Sequence, residues 1–258
     1  MIRATGQSTL AVLAELGDLA RFTARGFYAA VGSRRLGRRL VRAVYEQGVR
    51  CVPVVLIVGL FTGLVLGLQG YYTLAKFGST GLLGQLVALT LSRELAPVLA
   101  ALMIVGQAGS ALTAELGIQR NSEQIDALET MGIDPYGYLV APRLIAALLV
   151  YPIMTVFFTL IGLYGGYLSA SVLLALEPGV YWASVYDAVG LVDVRECLLK
   201  ALVFGAITIA LCCHNGFNAH RRSNSTGARA VSASTTRAVV LSSIAVLAAD
   251  YLITSLLV

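Results

Sequence analysis

From Cys51 to Ala75 the chain carries no charged residue. Wound as a helix at about 1.5 Å per residue, such a run is long enough to cross a hydrocarbon core about 30 Å thick. Four more long apolar stretches follow, near Phe77–Ala114, Leu144–Leu174, Cys197–His214 and Ala238–Val258. Together they bring the apolar share to 57% and leave only 13% charged residues, against about 25% in ordinary soluble domains. No single water-soluble core hides that much apolar surface, so lipid is part of the solvent. The reading is an all-α integral membrane protein with about five transmembrane helices.

The net charge of +5 is distributed as membrane topology requires. Nine of the 19 Lys and Arg residues precede position 51, and Arg221, Arg222, Arg229 and Arg237 share one polar loop. Basic residues between spans mark the cytoplasmic side. The pattern puts the N-terminus and the loop with Arg120 and Arg143 inside, and the C-terminus outside. Nucleic acid is not implied. Cys51, Cys197, Cys212 and Cys213 lie in or beside apolar segments without metal-ligand spacing, as small buried hydrophobes do.

The spans occupy residues 51–258, and residues 1–50 form an interfacial, basic helical segment. Ser8–Ala30 reads as an amphipathic helix lying in the membrane interface. Val12, Leu16, Leu19, Ala20, Thr23 and Phe27 form its apolar side, opposite Glu15, Asp18, Arg21 and Arg25. The acidic pair within the apolar run, and the lack of a cleavage site, argue against a signal peptide. A break at Gly32-Ser33 leads into the basic stretch Arg34–Arg50.

Gly59, Gly63 and Gly67 make a stripe along the first span for close helix packing. As one straight helix, Phe77–Ala114 would measure about 57 Å, so a bend is expected near Gly84 or Pro97. Tyr181–Val194, with Trp182 and Tyr186, reads as a short interfacial helix on the outer, periplasmic side. Between the second and third spans, Ser122–Met131 reads as a short helix. Asn121 is its N-cap, Gln124 completes a capping box, and Gly132 and Pro135 close it. Ile125, Leu128 and Met131 form its apolar side, and Glu123, Asp126 and Glu129 an acidic side suited to a cytoplasmic partner with a basic groove.

The run Arg93-Glu94-Leu95-Ala96-Pro97-Val98, then Gly106-Gln107-Ala108-Gly109-Ser110-Ala111, resembles the MlaE family of permeases. So do Ala114-Glu115-Leu116-Gly117, Ser122 to Leu128, Met131-Gly132-Ile133-Asp134-Pro135 and Pro142-Arg143, within a likeness covering nearly the whole chain. The sequence departs from the family's pattern at Ala96, where Gly is usual, and at Gln107, where Arg is common. The resemblance implies the permease subunit of an ABC transporter, a homodimer in the inner membrane of a Gram-negative bacterium. It implies phospholipid movement between that membrane and periplasmic lipid carriers, maintaining outer-membrane lipid asymmetry. It also implies a cytoplasmic ATPase that binds the ATP and magnesium, a small STAS-domain protein attached through that ATPase, and a periplasmic ring of MCE-domain proteins. By the same resemblance Ser122–Met131 is the coupling helix, with Glu123, Gln124, Asp126 and Leu128 at the ATPase, and the chain is not an enzyme. It has no phosphate-binding G-x-x-x-x-G-K-[ST] loop of its own.

Arg93 and Glu94 interrupt the second stretch, and charges within spans are functional by default. Adjacent on a helix, they point about 100° apart and do not simply neutralise each other. One reading gives them partners on neighbouring helices, with Lys200 and Asp250 as candidates. The other has Arg93 bind a lipid phosphate, in a pocket that the resemblance walls with Leu66, Leu74, Phe77 and Leu95. Two further function classes have weaker support. A hydrolase built on Ser110 and His214 lacks an orienting third residue and a nucleophile elbow. An ion-coupled carrier of a lipid or amphiphile, titrating at Glu94 or Asp250, lacks inverted repeats.

Overall fold

A computed structural model describes residues 14–15, 17–29, 36–219 and 227–257. Among them are eight helices and no strand. They are labelled α1 (17–29), α2 (Gly37–Ala75), α3 (Thr80–Asn121), α4 (Gln124–Thr130), α5 (Tyr136–Leu173), α6 (Pro178–Ala188), α7 (Leu191–Phe217) and α8 (Ala228–Leu256). Helices α2, α3, α5, α7 and α8 are the five long and apolar enough to cross a membrane. Helices α7 and α3 are the most enclosed, while α8 and α2 leave broad apolar faces open.

The glycine stripe sets the closest seam. Helix α2 lies along α5, and a Cβ on Gly63 would collide with the carbonyl of Gly162. A Cβ on Gly67 would stand 2.9 Å from the Gly166 carbonyl oxygen. Gly165 answers from the other side, where a Cβ would strike the Leu60 carbonyl. Without side chains at these positions the two backbones approach to contact and gain dispersion along the seam. The stripe is a packing surface.

Most helix ends fall outside the apolar stretches. Helix α2 begins in the basic stretch and runs unbroken past Cys51. Helix α5 begins at Tyr136 rather than Leu144, and α8 at Ala228 rather than Ala238, so the part of the polar loop that holds Arg229 and Arg237 is helical. Helix α3 does not break at Gly84 or Pro97. It changes winding instead, with π turns at Leu91–Leu95 and Val105–Gly109. A π turn absorbs a missing or diverted backbone bond without ending a helix. The helix expected at the outer interface is shorter than Tyr181–Val194. It stops at Ala188, and Asp193 belongs to the first turn of α7. Tyr181 and Trp182 of α6 pack on Tyr167 of α5, Tyr186 packs on Trp182, and Tyr181 donates its hydroxyl proton to the Leu163 carbonyl at 3.0 Å.

Helix α1 is amphipathic, but its buried face is rotated from the one expected. Phe22 is buried, edge-on to Tyr136, His214 and Phe217, whereas Ala20 is exposed. Gly26 sits where a Cβ would meet Leu144. Glu15 pairs with Arg237 of α8 at 2.8 Å. A ring fitting an aromatic pocket decides the face more strongly than the average hydrophobicity of a side. Val12, Leu16, Ala30, the Gly32-Ser33 break, Arg34, Arg35, Arg221 and Arg222 lie outside the described residues.

Candidate functional site

Pro97 shapes the first charged site. It has no backbone N–H, so the carbonyl four residues earlier, that of Arg93, loses its helical donor. Lys200 of α7 supplies one: its Nζ donates to the Arg93 carbonyl at 2.8 Å. The same ammonium donates to Glu94 Oε2 at 2.9 Å and to Thr254 Oγ1 of α8 at 2.7 Å. An ammonium has three protons, and all three are placed. Asp250 Oδ1 lies 3.0 Å from Nζ as an ion pair without a hydrogen bond, and Thr254 lies 3.4 Å from both Glu94 carboxylate oxygens. The Lys200 side chain is 2% exposed. Two carboxylates and a carbonyl around one buried cation meet its need for compensation, which burial makes strict.

Arg93 stands apart from this cluster. Its Nε donates to Asp193 Oδ1 at 2.6 Å, and Asp193 Oδ2 accepts the Gly190 N–H at 2.8 Å, closing the first turn of α7. The side chain is 51% exposed, and its terminal nitrogens have no partner among the described residues. Lys200 is therefore the shared cation of Glu94 and Asp250, and it meets Arg93 only at its carbonyl. Asp193 and Thr254 escape a reading by apolar stretches, because the pattern assigns Asp193 to the preceding short helix and a threonine near a C-terminus carries no charge signal.

The four apolar residues proposed beside Arg93 divide. Leu66, Leu74 and Leu95 pack at the margin of the common core. Phe77 lies beyond the end of α2 and is 77% exposed. Leu66 and Leu74, eight residues apart, fall on one side of α2.

Helix α4 lies at the other end of α3. No capping box forms: Asn121 still belongs to α3 and Gln124 opens α4. The chain turns on Glu123, whose φ of 57° is left-handed and costs a non-glycine residue about 1–2 kcal/mol. Arg120, 2.6 Å from Asp126 Oδ1, pins the turn. At the far end Gly132 (φ 72°) and Ile133 donate to the carbonyls of Glu129 and Leu128, at 3.0 and 2.9 Å. That Schellman motif is the stop the sequence promised. Helix resumes directly after Pro135, because Asp134 accepts the N–H groups of Tyr136 and Gly137, both at 3.1 Å. Ile125 is buried and Leu128 packs on the core, but Met131 is 64% exposed. Glu123, Gln124 and Glu129 are exposed as well, so the free surface of α4 is acidic with an apolar edge.

Other expectations meet simpler geometry. The Ser110 hydroxyl donates to the Gly106 carbonyl of its own helix at 2.6 Å, and the His214 ring packs edge-on to Phe22. All four cysteines are free and buried.

Residues 40–256 match the family described as Permease MlaE. This chain belongs to the MlaE permease family. It is 36% identical, over 90% of its length and 88% of the other's, to the intermembrane phospholipid transport system permease protein MlaE of Haemophilus influenzae. It is 38% identical to a probable ABC transporter permease protein of Rickettsia typhi, over 84% of this chain and 82% of that one. A probable ABC transporter permease protein of Synechocystis is 39% identical over 86% of this chain and 84% of its own. As an MlaE permease the chain is a membrane-spanning transporter subunit and not itself a catalyst.

Proposed function

We propose that this permease moves phospholipids between the inner membrane and periplasmic lipid carriers of a Gram-negative bacterium, so maintaining outer-membrane lipid asymmetry. The observation that carries the reading is Arg93: anchored through Nε by Asp193, it keeps its terminal nitrogens available in a half-exposed position. A guanidinium held this way suits bidentate binding of a lipid phosphate. Glu94, in the adjoining cluster, would tune the polarity of the site, and Leu66, Leu74, Phe77 and Leu95 would meet the acyl chains. The name of the Haemophilus relative supports the substrate class.

The chain works as a homodimer, with its N-terminus in the cytoplasm and its C-terminus in the periplasm. The clustering of arginine before Cys51 supports this orientation. Helix α4 is then cytoplasmic, and Glu123, Gln124, Asp126 and Leu128 form the contact with an ABC ATPase. That subunit binds ATP and magnesium and carries the small STAS-domain protein. A ring of MCE-domain proteins stands on the periplasmic side.

Purification of the complex from cells tests both ends. Arg93→Gln is expected to lower the phospholipid recovered with it several-fold while the subunits stay together. The charge-reversed pair Glu123→Lys and Asp126→Lys is expected to lose the ATPase from the preparation. Undiminished phospholipid in the first variant would sink the lipid assignment; undiminished ATPase in the second would sink the docking assignment.

A further inference from the structure

The end of the bundle that carries α4 also holds a charged cleft with no part in the roles above. It opens where the basic start of α2 faces the second half of α3 and the start of α5. Its two lobes, about 280 and 250 Å³, share Glu46, Glu115 and Arg143 on their walls. A water molecule takes about 30 Å³ in the liquid, so each lobe accepts a solute several times larger.

The walls carry more positive charge than they balance. Arg39, Arg42, Arg50 and Arg143 face Glu46 and Glu115. Both carboxylates are already engaged, Glu46 with Arg42 and Glu115 with Arg143, each at 2.8 Å. Arg39 rests over the Tyr138 ring, 3.6 Å from its centre, and Arg50 stands 5.9 Å from that of Tyr45. Neither has a carboxylate partner among the described residues.

A second observation is independent of charge. Gln47 is 3% exposed and lines the cleft. Its Nε2 donates to the Arg143 carbonyl at 3.2 Å, and since a carbonyl only accepts, this fixes which amide atom is which. Its Oε1 is then buried without a donor. Gln119 repeats the arrangement in the other lobe: Nε2 reaches Glu115 Oε1 at 3.2 Å, and Oε1 is buried and unpartnered. Buried acceptors without donors are unfavourable. The cleft therefore offers guanidinium donors to an anion and, beside them, amide oxygens to an N–H or O–H group. Its walls are wound as π turns at this level, Tyr45–Val49 and Val105–Gly109, joined where Gln107 Nε2 donates to the Arg50 carbonyl at 2.9 Å. Such turns recur at functional sites.

We propose that this cleft binds a phosphate ester bearing its own hydrogen-bond donor, as phosphoethanolamine and phosphoglycerol headgroups do. In one lobe the phosphate lies on Arg50 and the amine or hydroxyl on the Gln47 oxygen, and in the other Arg39 and the Gln119 oxygen offer the same pair. The cleft is a second site, separate from Arg93. Helix α3 is uncharged from Leu95 to Ala114, which at about 1.5 Å per residue is about 30 Å, one hydrocarbon thickness.

The test uses the full chain with its ATPase in phosphatidylethanolamine nanodiscs. A tracer phosphatidylethanolamine carries a photoreactive group close to its glycerol, and crosslinked peptides are located by mass spectrometry. Label is expected in peptides covering 39–50 and 107–119. It should fall roughly tenfold in the double variant Arg39→Gln with Arg50→Gln, the loss of about one charge-assisted contact, and several-fold in Gln47→Met. Melting temperatures in the same nanodiscs separate binding from folding, because Gln47→Met removes an unsatisfied buried oxygen along with the one hydrogen bond to the Arg143 carbonyl and is expected to hold the melting point. Label that persists in both variants, or falls only where the protein melts, overturns the proposal. Chain-free glycerophosphoethanolamine, added in excess, identifies the source: competition assigns the site to a soluble ester, and no competition assigns it to the lipid. Arg93→Gln is expected to leave this label unchanged, so failure of the lipid reading at Arg93 is seen separately.

Discussion

At the Glu94 end of α3 a buried ammonium has every proton placed, on a carbonyl, a carboxylate and a hydroxyl. At the Glu115 end the charges lie on open walls, two arginines lack carboxylate partners, and two amide oxygens lack donors. Both ends pair cations with carboxylates. The difference is access to water. Where three helices close over Lys200, polar groups must satisfy one another. Where α2, α3 and α5 splay apart, they remain available to a solute or a partner. The Lys200 cluster holds helices in register, while the cleft, like the half-exposed Arg93 guanidinium beside that cluster, is open to binding.

The sharpest way to break this contrast is Lys200→Met. It leaves Glu94 and Asp250 without their cation and the Arg93 carbonyl without a donor, and the expected loss is about 3–5 kcal/mol. Thermal unfolding in detergent reads it, and a variant that melts with the wild type would show that water already enters the cluster. Next comes Gly63→Ala on the uncharged seam between the two ends. The added methyl meets the Gly162 carbonyl of α5, and overpacking of this kind costs about 1–3 kcal/mol. The melting point of the same preparation checks it, and a neutral result would mean that the seam is looser than its geometry. The smallest effect belongs to Asp126→Asn. Its ion pair with Arg120 is half exposed on the Asp126 side, and such pairs contribute about 0–1 kcal/mol. Its melting curve should nearly overlay the parent's, in contrast to Lys200→Met.

Legibility in the sequence differed by element. The Schellman stop of α4 could be read at Gly132 because the motif is local: one residue with positive φ and two backbone bonds. The start of the same helix could not. Asn121 and Gln124 have the composition of a capping box, yet Arg120 and Asp126 pull the turn into another geometry. Glu94, Lys200 and Asp250 were recognisable as a group, since charges deep in apolar stretches must find one another. Arg93's partner was not, because Asp193 sits at a helix start that the apolar pattern placed too late. Phe22 is invisible to the sequence pattern for a related reason. A helical projection ranks sides by average polarity, whereas one ring inserted among Tyr136, His214 and Phe217 sets the orientation of α1.

The sequence by itself determined five membrane-length helices, the short helix between the second and third, the glycine seam and the family. All are consequences of hydrophobic length, local backbone preference or side-chain size, which one segment expresses alone. Only the tertiary structure decided which charges meet, where each helix begins, and that Gln47 and Gln119 face a cleft with unmatched oxygens. Those depend on what a neighbouring helix brings within about 3 Å, the range of a hydrogen bond, and no single segment contains that information.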